Sequence, residues 1–109
     1  MNAIEDVAAE RRRQNDEEVF SAHHDDEHPF GEMARAAAAY AISSFEGNSL
    51  WAQSLWPWDW IWWKPKSPRA DLIRAAALIV AEIDRLDRAT GRRNRIQNSS
   101  ASNERPKGT

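Results

Sequence analysis

Apolar and polar positions recur with a helical period over three stretches of the chain. In AIEDVAAERRRQ, Ile4, Val7, Ala8 and Arg11 share a face, with acids early and arginines late as the helix macrodipole favours. The next segment, VFSAHHDDEHPFG, loses the period and carries Pro29 and Gly31, which predicts a loop dense in ionisable groups. EMARAAAAYAISSF restores the period. Met33, Ala36, Ala37, Tyr40, Ala41 and Ser44 fall on one stripe, whose alanines let a neighbouring helix come close.

After the turn EGNSL comes WAQSLWPWDWIWW, where Pro57, Pro65 and Pro68 forbid one continuous helix. This pattern predicts an extended entry and at most a helical turn at DWIWW. Ser67 followed by Pro68 is a helix start and Gly91 a natural stop, giving a third helix over about 68–90. Along it Leu72, Ala76, Ile79, Ile83 and Leu86 alternate spacings of four and three, a seam fit for helix two or for a second copy of the chain. NRIQNSSASNERPKGT then turns polar and aperiodic. The expected fold is all-α, a small three-helix domain over 1–91 with a Trp-rich connection, followed by a disordered basic tail over 92–109.

Composition narrows the function classes. A chain of 109 residues has room for one core, and self-association would bury what that core leaves open. Cysteine is absent, which excludes disulfides, thiolate catalysis and cysteine-bound zinc, and points to a reducing cytoplasm. The acidic start MNAIEDVAAE gives the expectation of no signal peptide, and no run approaches the roughly 18 apolar residues of a membrane span. Residues 1–33 hold ten acids against three arginines, whereas residues 92–109 hold five bases against one acid. Such a basic tail ordinarily serves solubility.

All six tryptophans fall within residues 51–63. One use for them is to close an alanine-rich core, and another is anchoring at a membrane interface. A third is a stacking surface for nucleobases, with Lys64, Lys66 and Arg69 following where phosphates would be met. On that reading Trp58, Trp62, Trp63, Lys64 and Arg69 face the ligand, while Trp56 and Trp60, on either side of a turn at Pro57, are structural. The second candidate constellation is HHDDEH over 23–28. Its His24, Asp25, Asp26 and His28 suit ligand binding, proton transfer or a divalent metal, and a solvated acidic loop is the plain alternative. Asp71 and Glu82, eleven residues apart, fall on one flank of helix three.

ERRRQ at 10–14, HDDEH at 24–28, GEMARAAAAYA at 31–41, LWPWDWIWWKP at 55–65 and DLIRAAALIVAEIDRLDR at 71–88 together resemble an uncharacterised family of small proteins encoded by phages and prophages of proteobacteria. The resemblance spans about four fifths of the chain and implies a viral origin. It departs at Val19 and Phe20, where a Gly-Trp pair is common, and at His23, where an acid is common. There is a fainter likeness to ryanodine-receptor-type repeat domains, proposed to sense nucleotides. Inward acids on two helices beside a His/Asp loop are also similar to MazG-type pyrophosphohydrolases, but their ExxE and ExxD motifs are not legible here.

The leading expectation is a non-catalytic, cofactor-free, nucleotide-binding homo-oligomer in the cytoplasm of an infected host. The phage resemblance implies counter-defence by sequestering a host signalling nucleotide. The alternatives are a metal-dependent nucleotide hydrolase using His24, Asp25, Asp26 and His28 with Glu32 or Glu82, and an inhibitor that docks exposed tryptophans on a host enzyme.

Overall fold

The structure, a computed structural model, describes residues 2–17 and 30–97. Its elements are α1 (Ala3–Glu17), α2 (Glu32–Glu46), α3 (Leu50–Leu55), a 3₁₀ turn (Trp60–Trp62) and α4 (Pro68–Gln97), with no strand among the described residues. The fold is all-α. No described helix is long and apolar enough to cross a membrane.

Local chemistry sets each start. Asn2 Oδ1 accepts the Glu5 N–H at 2.9 Å while Glu5 Oε1 accepts the Asn2 N–H at 3.1 Å, a reciprocal cap on α1. Ser49 caps α3 through the Ala52 N–H at 3.1 Å, and Asp59 caps the 3₁₀ turn through the Ile61 N–H at 2.9 Å. Ser67 accepts the Ala70 N–H at 3.2 Å ahead of Pro68, as the sequence predicts for α4. Helix α2 ends at Gly47, whose φ of 70° is a conformation that side chains with a Cβ avoid.

Helix α2 is the centre of the fold, packing against both α3 and α4. Ser43 touches Asp71 and Tyr40 reaches Arg74, so α2 and α4 run antiparallel. The same register carries Ala36 to the level of Leu78 and Met33 to that of Ala81, and all four are fully buried. Alanine on both helices brings the axes close, and full burial of a side chain such as Leu78 contributes about 1.5–3 kcal/mol.

Four expectations are corrected. The buried face of α4 is Asp71, Ala75, Ala77, Leu78, Ala81 and Arg85, whereas Leu72, Ile79, Ile83 and Leu86 of the expected seam stand about half exposed and Ala76 is half-buried, so of the two partners expected for that seam helix two is not the one it meets. Two small-residue faces interlock, which leaves the larger aliphatics outside. Helix α4 also passes through Gly91 to Gln97, because nothing there imposes the left-handed conformation that a terminal glycine would supply. The tail expected over 92–109 thus begins as helix, and residues 98–109 lie outside the described residues. Residues 50–55 are helical rather than extended, since Ser49 caps them and Pro57 lies beyond their end.

The fourth correction concerns α1. Ile4 and Ala8 face solvent, while Asp6, Glu10 and Gln14 turn toward α4. The contact is polar: Arg69 meets Asp6 at 2.6 Å, Arg11 meets Asp84 at 3.8 Å, and Gln14 donates to the Arg74 carbonyl at 3.5 Å. Helix α2 needs a wider buried surface than one stripe provides. Ala39, Ile42 and Ser43 are buried with the expected Met33, Ala36, Ala37 and Tyr40, and Ala41 and Ser44 are half-buried.

Candidate functional site

The tryptophan segment divides by depth. Trp56 is 6% exposed and joins the core cluster of Ala36, Ala37, Tyr40, Ala75 and Leu78, against which Trp58, Trp62 and Trp63 also pack. Its ring stands edge-on to Tyr40 at 5.5 Å and to Trp58 at 5.4 Å, the geometry that the ring quadrupoles favour. Trp63 lies 4.8 Å from Tyr40 and 5.0 Å from Trp56, and its indole N–H donates to Asn48 Oδ1 at 2.8 Å. The Trp56 indole N–H donates to the Asp59 carbonyl at 3.0 Å. Trp63, expected on the ligand side, is thus bound into the aromatic cluster.

Trp60 and Trp51 are the exposed pair, at 56% and 55%. The expectation that Trp60 is structural is corrected: the 3₁₀ turn holds Trp62 against the core and sends Trp60 and Ile61 to solvent. Trp51 meets Phe45 edge-on at 6.1 Å.

A knot of hydrogen bonds ties this segment to the helices. The buried Tyr40 hydroxyl accepts the Lys64 N–H at 3.0 Å, donates to the Trp62 carbonyl at 3.3 Å, and lies 3.4 Å from Arg74 Nη1. The Arg74 guanidinium also sits 5.6 Å from the Tyr40 ring centre. Next along the chain, the Lys66 N–H donates to Asp71 Oδ1 at 2.8 Å, and Asp71 Oδ2 accepts the Ser43 hydroxyl at 2.8 Å. Asp71, only 2% exposed, therefore fastens the segment to α2 and α4 together.

These ties place cations at one edge of the segment. Lys64 Nζ stands 5.7 Å from the centre of the Trp62 ring, within cation–π range. Beyond it Lys66, Arg69, Arg74 and, from α1, Arg13 line a cleft of about 320 Å³ together with Asp6, Glu10, Ala70 and Ile73. Asp6 engages Arg69, and Glu10 engages Arg13 at 2.6 Å. The Lys66 ammonium and the Arg74 guanidinium have no carboxylate partner among the described residues. Four cations facing two carboxylates, with Ala70 and Ile73 beside them, suit a small anion or a phosphate-bearing ligand.

Of the expected ligand residues, the structure thus brings Trp62, Lys64 and Arg69 to this edge, with Trp58 on the core side of the same segment. His24, Asp25, Asp26 and His28 lie outside the described residues. The acids expected to join them are engaged elsewhere: Glu82 with Arg85 at 2.8 Å, and Glu32 with the Phe30 N–H at 2.9 Å. No group of three His, Asp or Glu among the described residues is arranged to hold a metal ion. Sequence reasoning missed Arg74 and Arg13 as members of the cleft. Arg74 follows Ala70 at i,i+4 on α4, a legible spacing, but Arg13 arrives from α1 through a tertiary contact that no spacing shows.

Comparison with protein-family models, with curated proteins and with solved structures finds no match, so the function is argued from the chain's own residues.

Proposed function

We propose that the protein is a non-catalytic binding module for a phosphate-bearing ligand, best read as a nucleotide. The observation that carries this is the cleft of Arg13, Lys66, Arg69 and Arg74 beside the segment bearing Trp62 and Lys64. At most about 14 Å of extended chain separates Trp62 from Lys66. A base resting on the half-buried indole would thus lie near cations able to take its phosphates, and stacking of this kind is worth about 1–3 kcal/mol per base. Sequestration of a host signalling nucleotide is the role that the resemblance to phage proteins adds to this reading.

The test is a thermal-shift panel of mononucleotides, cyclic nucleotides, the matching nucleosides and inorganic phosphate. Binding to the folded state alone raises stability by mass action, about 2.7 kcal/mol at one hundred times Kd. The expected result is a rise in midpoint with one or more nucleotides that the nucleosides do not match. A panel in which no nucleotide moves the midpoint contradicts the reading.

A second reading is favoured by the exposure of Trp51, Trp60 and Ile61. Exposed indoles are strong anchors at protein interfaces, and this face would dock on a partner protein as an inhibitor does. Loss of a captured partner on Trp60→Ala, with Lys66→Ala inert, would select this reading over the first.

A further inference from the structure

Helix α4 carries a second apolar face that nothing among the described residues covers. Leu72, Ile79, Val80, Ile83 and Leu86 are 51%, 49%, 38%, 50% and 49% exposed, on the side away from the face formed by Asp71, Ala75, Leu78, Ala81 and Arg85. With Ala76 and Thr90 the positions run 72, 76, 79, 83, 86, 90, the strict alternation of fours and threes that defines a two-helix seam. From Leu72 to Leu86 the stripe is about 21 Å long.

We propose that this stripe is the seam of a homodimer in which two α4 helices pair antiparallel about a twofold axis between Ile79 and Ile83. The order of side-chain sizes selects both the occupant and the direction. Antiparallel pairing sets Ile79 against Ile83 of the second copy, Ala76 against Leu86 and Leu72 against Thr90, so every layer joins one larger and one smaller group or two of equal size. Parallel pairing would stack Ala76 on Ala76 in one layer and Leu86 on Leu86 in another, leaving a void in the first and crowding the second. A foreign helix would not require this complementarity of the stripe with its own reverse, whereas a twofold interface does.

The area is consistent with that occupant. Five aliphatic side chains near half exposure offer a few hundred Å² per chain, about the size of the largest patch on an ordinary monomer. The flanking Asp87 and Thr90 extend it toward the lower bound of roughly 1,200 Å² total for a specific interface. The centre of the seam, at Ile79 and Ile83, lies about 15 to 21 Å along α4 from Arg69, and the pairing is argued without the ligand.

The test uses the full chain, which lacks cysteine and so accepts single reporters cleanly. Sedimentation velocity over a rising series of protein concentrations should show twice the chain mass at the upper end. Ile79→Glu with Ile83→Glu should weaken association at least 100-fold while circular dichroism keeps its helicity, because both positions are exposed within the chain. For the direction, mixing Ala76→Cys with Leu86→Cys protein under mild oxidation should give a disulfide-linked pair, and neither variant alone should. A monomer at the highest concentration, as when another segment of the chain covers the stripe, overturns the proposal. So does an oligomer that the double glutamate variant leaves intact, or crosslinking by Ala76→Cys alone.

Discussion

The Lys64 backbone N–H donates to the buried Tyr40 hydroxyl at 3.0 Å, and through this bond the tryptophan segment is fixed to the middle of α2. The same oxygen donates to the Trp62 carbonyl, so one phenol satisfies two backbone groups of an irregular stretch that has few ladder partners of its own. Tyr40→Phe keeps the ring contacts with Trp56 and Trp63 and removes only this oxygen. The expected loss is about 1–3 kcal/mol, the cost of leaving buried polar groups unpaired. Urea unfolding checks it, and a loss below about 0.5 kcal/mol would show that the knot is solvated.

Asp71 and Ser43 should behave as a coupled pair. The carboxylate accepts the Ser43 hydroxyl on one oxygen and the Lys66 N–H on the other. Asp71→Ala is expected to cost about 2–4 kcal/mol and Ser43→Ala less, since Ser43 removal leaves the Lys66 bond in place. A double-mutant cycle should return a coupling of about 1 kcal/mol, and additivity would mean that the contact carries no net energy.

Gly91 separates two accounts of the third helix. The sequence suggests a stop there, whereas α4 continues through it with nothing within 4 Å of the position that a Cβ would take. Gly91→Ala should therefore stabilise the protein by about 0.5–1 kcal/mol, measured by thermal unfolding. A destabilised variant would point instead to a left-handed terminus at this residue.

What the sequence could and could not disclose follows from the same contacts. The start of α4 was legible because Ser67 and Pro68 act locally, and α2 because its period is strong. The cap of α1 is equally legible as Asn2 and Glu5, and that of α3 as Ser49 ahead of six residues free of proline. The inversion of α4 is different in kind. The helix has two apolar faces, one of small residues and one of large, and periodicity identifies both without saying which meets α2. Close approach of the alanine faces decides it, and that is a property of two helices together. The depth of each tryptophan was unreadable for the same reason, because Tyr40, Asn48 and Asp59 choose among the indoles. Arg13 entered the cleft only through the packing of α1.

The tryptophans should separate on stability alone. Trp56→Ala removes a buried ring and should cost about 3–5 kcal/mol, with Trp63→Ala also destabilising because it breaks two ring contacts and the Asn48 bond. Trp51→Ala and Trp60→Ala, at exposed positions, should stay within about 0.5 kcal/mol of the native protein. Equal losses at all of these positions would mean that the exposed indoles are packed in solution, as in a protein interface.

The most direct measurement is a titration of intrinsic tryptophan fluorescence with the nucleotide that gives the largest thermal shift, run on the native protein and on Trp62→Ala and Lys66→Ala. The native protein should show saturable quenching. Trp62→Ala should keep most of its stability and lose most of that signal, while Lys66→Ala should weaken binding by about tenfold, or 1.4 kcal/mol, with a shallower dependence on salt. Native fluorescence that no nucleotide alters, or quenching and affinity that survive both substitutions, would contradict the assignment of this edge as the binding site.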